Sequence, residues 1–194
     1  MNDIQKTDIL LAGVGGQGIV SIAAVIALAA MKKGWHIKQS EVHGMSQRGG
    51  AVQSHLRISN RCIFSDLISL CTTDLILSVE PLEALRYLPY LSPHGVVVTA
   101  SNPVNNIDDY PPMTQIEEAV LALENRVWLD VAALAREAGN PKTSNMVILG
   151  AGAAFTGLSD ALLKEAISDF FEPKGQKMIE MNLRAFSLGR ESVL

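Results

Sequence analysis

Short apolar runs and amphipathic stretches alternate along the whole chain. Residues 8–13, 74–79 and 95–101 are continuous apolar segments with turn-forming residues beside them, which predicts buried strands. Residues 17–33 are apolar at nearly every position and end in two lysines before a glycine, which predicts a helix buried on nearly every side. Further strands are predicted at 35–42, 51–59 and 126–132. Further helices are predicted at 81–91, 116–125, 134–140, 143–158, 159–173 and 177–190.

The order of these elements predicts the architecture. Residues 51–59 alternate between apolar and polar positions, and a short turn leads into 62–70, so we expect a β-hairpin from these two segments. The first strand, its helix and the strand at 35–42 predict a βαβ unit with a right-handed crossover. The expected fold is a single α/β domain, residues 1–194, with a three-layer, Rossmann-like arrangement. Its mainly parallel, mixed sheet should carry helices on both faces and one β-hairpin.

The sequence GVGGQG at 13–18 joins the first predicted strand to the first predicted helix. Gly13, Gly15 and Gly18 fit the pattern G-x-G-x-x-G, in which glycines permit a tight turn, close approach of a phosphate, and close helix–strand packing. Free N–H groups and the helix dipole favour an anion at such a turn. Gly16 and Gln17 add a second bare backbone position and a side-chain amide. The alternative is a glycine turn that serves packing alone.

A second glycine-rich loop, 43–51, follows the strand at 35–42. It presents an amide, a guanidinium and bare backbone N–H groups, a combination that suits a phosphate or carboxylate. In a doubly wound sheet this loop should lie beside the first one, at the edge where ligands bind. The alternative is a loop exposed only to solvent. The candidate residues are Gln47, Arg48, Gly49 and Gly50.

Candidate catalytic groups are few. His43 and His55 are possible acid–base groups, with a structural role as the alternative for each. Glu41 lies 23 residues after Gly18. NAD-binding folds place an acidic residue about 20 residues after the glycine motif, so Glu41 is compatible with a dinucleotide-binding site. The sequence has no G-x-S-x-G or H-E-x-x-H motif and no cluster-binding set of cysteines. A ligand site without reacting groups indicates a subunit of a larger enzyme.

Composition narrows the class of protein further. The net charge is −4 and no basic stripe is present, which argues against a nucleic-acid partner. Cys62 and Cys71 are nine positions apart, which suits neither a zinc site nor an iron–sulfur cluster and predicts reduced thiols. The apolar run 19–31 is shorter than the roughly 20 residues that span a bilayer, and the polar N-terminus does not resemble a signal peptide. We therefore expect a cytoplasmic protein without membrane contact.

Five stretches of the chain follow one another in the order of a known family: GVGGQG (13–18), EVHGMSQRGGAVQSHLRIS (41–59), EPLEALRYLPYLSP (80–93), SNMVILGA (144–151) and EMNLRAFSLGR (180–190). Together they resemble the gamma-subunit family of 2-oxoacid:ferredoxin oxidoreductases. Within them, EPLEALR and NLRAF resemble the indolepyruvate branch of that family. SDLISLC at 65–71 departs from the S-P-x-I pattern that relatives carry after the hairpin.

The resemblance implies the small subunit of an enzyme that oxidatively decarboxylates a 2-oxoacid, such as indolepyruvate, to an acyl-CoA. Electrons would pass to ferredoxin, and a large partner subunit would carry thiamine diphosphate, magnesium and the iron–sulfur clusters. Coenzyme A would lie near the glycine loops of this chain. The chain itself would supply neither a reacting group nor a metal. On that analogy the residues facing coenzyme A or the partner are Gly13, Gly15, Gly16, Gln17, Gly18, Gln47, Arg48, Gly49 and Gly50.

Several alternatives stay open on sequence alone. The chain could serve a pyruvate, 2-oxoglutarate or ketoisovalerate enzyme instead. A free-standing NAD(P)-binding oxidoreductase and a binding module such as an adenine-nucleotide sensor belong to other classes. Small residues at 150–154 permit another helix to approach closely, either within the chain or from a partner, and a homodimer of the isolated chain is a further expectation.

Overall fold

The structure is a computed structural model that describes residues 5–44 and 49–193. These residues form six strands and seven α-helices. The strands are β1 (Lys6–Val14), β2 (His36–His43), β3 (Ala51–Ser59), β4 (Thr73–Ser78), β5 (Leu91–Ala100) and β6 (Arg126–Leu129). The helices are α1 (Ile19–Lys32), α2 (Pro81–Arg86), α3 (Met113–Leu121), α4 (Val131–Glu137), α5 (Ser144–Gly152), α6 (Asp160–Phe171) and α7 (Gln176–Glu191).

The strands form one mixed sheet in the order β2-β3-β1-β4-β5-β6. β1, β4, β5 and β6 run parallel, whereas β3 pairs antiparallel with both β1 and β2. The predicted α/β class with a mixed sheet is confirmed. Because β1, β4, β5 and β6 share a direction, their carboxyl ends and the loops that follow them meet at one edge of the sheet.

Helices cover the sheet unequally on its two faces. The larger core lies between α1, α4, α5, α6 and α7 and the side chains of one sheet face, such as Ile9, Leu11 and Leu77. The smaller core holds Leu10 and Ile76 against α2 and the turn that follows it. Successive residues of β1 therefore enter opposite cores, as strand geometry requires.

The position of β3 adds a strand to one prediction and corrects another. β1, α1 and β2 form the expected parallel connection, because β3 pairs antiparallel with both strands, but β3 lies between them and pairs with β1 from Lys6↔Ser59 to Val14↔Ala51. The hairpin is formed by different strands from those expected, because β3 pairs with β2 before it and not with 62–70 after it. The second glycine-rich loop is thus the connection of the β2–β3 hairpin.

Residues 62–70 form no strand because side chains of β3 bind their backbone. The guanidinium of Arg57 donates to the carbonyls of Ser65 and Leu67 at 3.2 and 3.0 Å. It also forms an ion pair with the buried carboxylate of Asp8, with 2.8 Å between Nε and Oδ1. Nδ1 of His55 accepts from the N–H of Ile68 at 3.0 Å. These contacts replace the hydrogen bonds that a strand ladder would supply.

The helix at 17–33 is less buried than its apolar sequence predicts. α1 buries seven side chains against the sheet and the neighbouring helices, but Val20 is 54% exposed and Met31 is 62% exposed. Its C-terminal lysine, Lys32, forms ion pairs with Glu165 and Asp169 of α6 at 2.6 and 2.8 Å. The apolar composition of α1 therefore overstates its burial, because one side of the helix is left uncovered by the described residues.

The small residues of α5 are used inside the chain. A Cβ on Gly150 would collide with the backbone carbonyl of Phe186, and a Cβ on Gly189 would collide with that of Val147. Gly150 and Gly189 thus permit α5 and α7 to touch backbone to backbone. Gly152 similarly receives the side chain of Leu77 from β4. Of the two interpretations left open by the sequence, internal packing is the one that the structure supports for these glycines.

We expect Gly150→Ala to lower the free energy of unfolding by about 3 kcal/mol, because a methyl group there meets rigid backbone. The matched control is Gly139→Ala, a glycine at φ 101° with open space around it. That variant should lose only about 1 kcal/mol, the cost of a left-handed conformation. Urea denaturation of both variants measures the difference, and equal losses would contradict backbone contact between α5 and α7.

A second prediction concerns His55. Burial, and then the nearby Arg57, lower the pKa of His55, while Asp66 acts in the opposite direction. The unfolded chain therefore takes up a proton at this position first, and stability should fall as the pH drops below about 6.5. His55→Asn keeps an acceptor for the N–H of Ile68 but cannot titrate.

Urea denaturation at about pH 7.5 and about pH 5.5 tests this expectation. His55→Asn should show a smaller loss of stability on acidification than the parent chain. His36→Asn, at an exposed histidine of β2, is the matched control and should keep the parental pH dependence. A parental pH dependence in His55→Asn as well would show that His55 does not contribute to it.

Candidate ligand site at the glycine loops

The first glycine loop connects β1 to α1 at the carboxyl edge of the sheet. Gly16 and Gly18 have φ values of 98° and 81°, in the left-handed region that favours glycine. Gly18 is the N-cap of α1 and no side chain caps it, so the first N–H groups of the helix are free of a side-chain acceptor. Backbone of this kind is suited to an anion, and anion binding at this turn stays a prediction.

The glycines of this loop differ in how closely other atoms surround them, and the pattern differs from the predicted one. Gly13 belongs to β1 and pairs with Val52, so it does not form the turn as predicted. A Cβ on Gly13 would lie 2.8 Å from Cδ1 of Ile19, so this glycine permits close packing of the strand against α1. A Cβ on Gly18 would meet the side chain of Asn145 on α5. A Cβ on Gly16 would have no atom within 4 Å, so the loop is open to solvent there.

Gln17 holds the loop in shape. Its Oε1 accepts from the N–H of Val14 at 2.7 Å, and its Nε2 donates to the carbonyl of Val79 at 3.2 Å. Both ends of the amide are thus bonded within the chain, one to the end of β1 and one to the residue after β4. A contact between Gln17 and a ligand stays a prediction.

The second loop lies against the first, as expected. The N–H of Gly15 donates to the carbonyl of Gly50 at 2.9 Å. Gly49 has a φ of 77°, and its carbonyl accepts from Nδ2 of Asn106 at 2.6 Å. Gln47 and Arg48 fall outside the described residues, so their predicted roles are untested. The two glycine loops therefore meet at Gly15 and Gly50.

Glu80, a buried glutamate that no sequence pattern marked as a site residue, binds the segment that contacts the second loop. Glu80 is 1% exposed and follows β4, where its Oε2 caps α2 through the N–H of Glu83 at 2.8 Å. Its Oε1 accepts from the N–H of Val104 at 3.3 Å and from the hydroxyl of Tyr110. Burial, and then the bond to Glu80, raise the pKa of Tyr110, which therefore stays protonated and donating. Glu80 thus fixes the loop that carries Asn106.

Of the remaining candidates from the sequence, only His43 lies beside the glycine loops, at the carboxyl edge of the sheet. Glu41 lies on β2, separated from β1 by β3, and contacts His43. His43 is exposed and lines a groove of about 340 Å³ beside Gly15 and Val52. His55 lies opposite Leu10, inside the sheet and away from the loops. Its contacts indicate a structural role.

No set of metal ligands is present among residues 5–44 and 49–193: no group of three or more histidine, cysteine, aspartate or glutamate side chains lies close enough together. Cys62 and Cys71 are both exposed free thiols. Across the same residues, no helix combines the length and apolar character needed to cross a membrane.

Known proteins decide the family. The family profile described as pyruvate ferredoxin/flavodoxin oxidoreductase matches residues 8–192. The chain belongs to this family. Among its curated relatives in the pyruvate ferredoxin/flavodoxin oxidoreductase family, indolepyruvate oxidoreductase subunit IorB of Pyrococcus horikoshii is 37% identical over 96% of this chain and 95% of its own length. The protein of the same name from Thermococcus kodakarensis is 36% identical over the same shares.

Solved structures of the family share the fold. The gamma subunit of a keto/oxoacid ferredoxin oxidoreductase from Geobacter sulfurreducens has a TM-score of 0.69 and 25% identity, and the match covers 96% of this chain and 98% of that one. The 2-oxoglutarate:ferredoxin oxidoreductase of Magnetococcus marinus, solved with 2-oxoglutarate, coenzyme A and succinyl-CoA, has a TM-score of 0.76 and 24% identity. This chain matches over 97% of its length but spans only 31% of that longer chain.

The bond between Asn106 and Gly49 generates a prediction about the contact between the loops. In Asn106→Ala we expect the amide of Gly15 to exchange its hydrogen about fivefold faster, because one hydrogen bond contributes about 1 kcal/mol to holding Gly50 in place. Hydrogen exchange followed by NMR measures this. Asn105→Ala, at an exposed neighbour in the same loop, is the matched control. Unchanged protection of the Gly15 amide in Asn106→Ala would show that Asn106 does not position the second loop.

Proposed function

We propose that this chain is the small subunit of an indolepyruvate-type 2-oxoacid:ferredoxin oxidoreductase. The single observation that carries this proposal is the 37% identity to a subunit named for indolepyruvate, over nearly the full length of both chains. In the proposed reaction an aryl 2-oxoacid and coenzyme A give an acyl-CoA and carbon dioxide. The two electrons released pass to two molecules of oxidised ferredoxin, and the thiol proton of coenzyme A leaves to solvent.

The reacting groups belong to a partner in this proposal. A large subunit holds thiamine diphosphate, magnesium and the iron–sulfur clusters, and ferredoxin docks there. Two cysteines are too few for a four-cysteine cluster, and nothing in the sequence resembles a thiamine diphosphate site. The role of this chain is then to bind and orient coenzyme A, and it is inactive alone. We further propose that residues 1–194 form one domain and that the protein acts in the cytoplasm without nucleic acid or membrane.

Coenzyme A lies at the glycine loops in this proposal. Its pyrophosphate would approach the uncapped start of α1 and the bare backbone of both loops. The contact between Gly15 and Gly50 supports this placement because it brings the two loops together. The Magnetococcus enzyme of the same fold, which was solved with coenzyme A, supports the same class of ligand. The proposed contact residues are Gly13, Gly15, Gly16, Gln17, Gly18, Gln47, Arg48, Gly49 and Gly50.

Two groups of alternatives are less well supported. Relatives named for ketoisovalerate and 2-oxoglutarate are 28% and 29% identical to this chain, below the value for indolepyruvate subunits. A free-standing NAD(P)-dependent oxidoreductase requires an acidic residue on the strand beside β1. β3 occupies that position, and Glu41 lies one strand further away. The topology therefore disfavours a dinucleotide site of the usual kind.

Co-purification with a large subunit tests the proposal. This chain, tagged, is expressed together with a thiamine diphosphate- and cluster-binding large subunit encoded beside it. We expect a coloured complex that reduces a dye only when indolepyruvate and coenzyme A are both supplied, and only when both chains are present. Each subunit alone is the control. Oxoacid oxidation by this chain alone, or dye reduction that does not need this chain, would contradict the proposal.

A further inference from the structure

The segment between β5 and α3 contacts the second glycine loop without belonging to it. Residues 101–112, which we call the strap, form neither helix nor strand, and none of their side chains belongs to either core. At the start of the strap, Oδ1 of Asn102 accepts from the N–H of Ala132 at 2.8 Å, and its Nδ2 donates to Asp130 at 3.0 Å. Beyond this point the strap is held by hydrogen bonds rather than by core packing.

Two of these hydrogen bonds end on one oxygen atom of Glu80. Oε1 accepts from the N–H of Val104 at 3.3 Å and from the hydroxyl of Tyr110. The other oxygen, Oε2, accepts from the N–H of Glu83 at 2.8 Å and caps α2. The carboxylate therefore divides its oxygens between the helix and the strap.

Capping of α2 alone does not explain why this carboxylate is buried. Glu80 is 1% exposed, and no cationic side chain within residues 5–44 and 49–193 forms an ion pair with it, because the nearby Arg86 pairs with Glu83. Removing a carboxylate from water without a cation costs more than a helix cap contributes. Serine, threonine, aspartate and asparagine are the usual caps, and their side chains are shorter. The additional reach of a glutamate is used by the strap.

The strap touches the second glycine loop through Asn106. Nδ2 of Asn106 donates to the carbonyl of Gly49 at 2.6 Å. The next residue, Gly50, accepts from the N–H of Gly15 at 2.9 Å. Asn106 lies between the two strap residues that bind Glu80, so a continuous series of contacts joins the buried carboxylate to the junction of the two loops.

We propose that Glu80 is a positioning residue for the ligand edge: through the strap and Asn106 it sets the position of the second glycine loop against the first. Glu80 itself touches no ligand and takes no part in the chemistry. The consequence for coenzyme A rests on the proposed function, in which the coenzyme lies at this junction. Displacing the second loop then weakens coenzyme binding and leaves the reacting groups of the partner unchanged.

Hydrogen exchange of the Gly15 amide in the full chain tests the transmission. Tyr110→Phe removes one of the two strap bonds to Glu80 and keeps the cap of α2, and we expect about threefold faster exchange. Glu80→Asp keeps a charged helix cap but is one methylene too short for the strap. It should approach the roughly fivefold change expected for Asn106→Ala, because both strap bonds are lost.

A double variant separates transmission from a general loosening of the edge. In a chain that already carries Asn106→Ala, Tyr110→Phe should cause no further acceleration, because the connection to the second loop is already cut. Tyr87→Phe is the matched control, since it removes the hydroxyl of another half-buried tyrosine outside the strap, and it should keep the parental rate. Additive effects of Tyr110→Phe and Asn106→Ala, a parental rate in Tyr110→Phe, or an equal acceleration in Tyr87→Phe would each overturn the inference.

The assembled enzyme provides a second readout. In the dye-reduction assay we expect Tyr110→Phe to raise the KM for coenzyme A about threefold, while kcat and the KM for the 2-oxoacid stay at their parental values. A purely structural defect would instead lower the amount of active complex, and a reduced kcat with an unchanged KM for coenzyme A would overturn the inference. A parental complex without coenzyme A-dependent activity would contradict the proposed function, and the exchange rates would then decide by themselves whether Glu80 positions the loop.

Discussion

The antiparallel ladder between β1 and β3 determines the geometry of the ligand edge. Because the two strands pair along their whole length, β3 begins where β1 ends, and the hairpin loop before β3 reaches the glycine loop after β1. The bond from Gly15 to Gly50 closes this junction. In a doubly wound sheet with β2 beside β1, the same position would be taken by the end of a parallel strand and its acidic residue. One inserted strand thus replaces a dinucleotide edge with a junction of two glycine loops.

Polar side chains at this edge mostly bind the protein's own backbone. Gln17 connects the ends of β1 and β4, Asn145 connects the starts of α1 and α5, and Asn106 holds the second loop. Glu80 in turn holds the segment that carries Asn106. Among the described residues, the groups left exposed at this edge include glycine backbone and the imidazole of His43. Such a surface suits the binding of an anion, which is the role that the proposed function gives to this edge.

Local patterns were enough to predict most elements and the meeting of the two glycine loops. Continuous apolar strands, proline at the start of α2 and glycine between β1 and α1 each have a short-range physical cause. The order of the strands in the sheet has no such short-range cause. The side chains of Arg57 and His55 bind the backbone of the segment after β3, which forms no strand, and β3 itself pairs with β1 and β2. Alternation at 51–59 indicated a strand but carried no information about which neighbour it would choose.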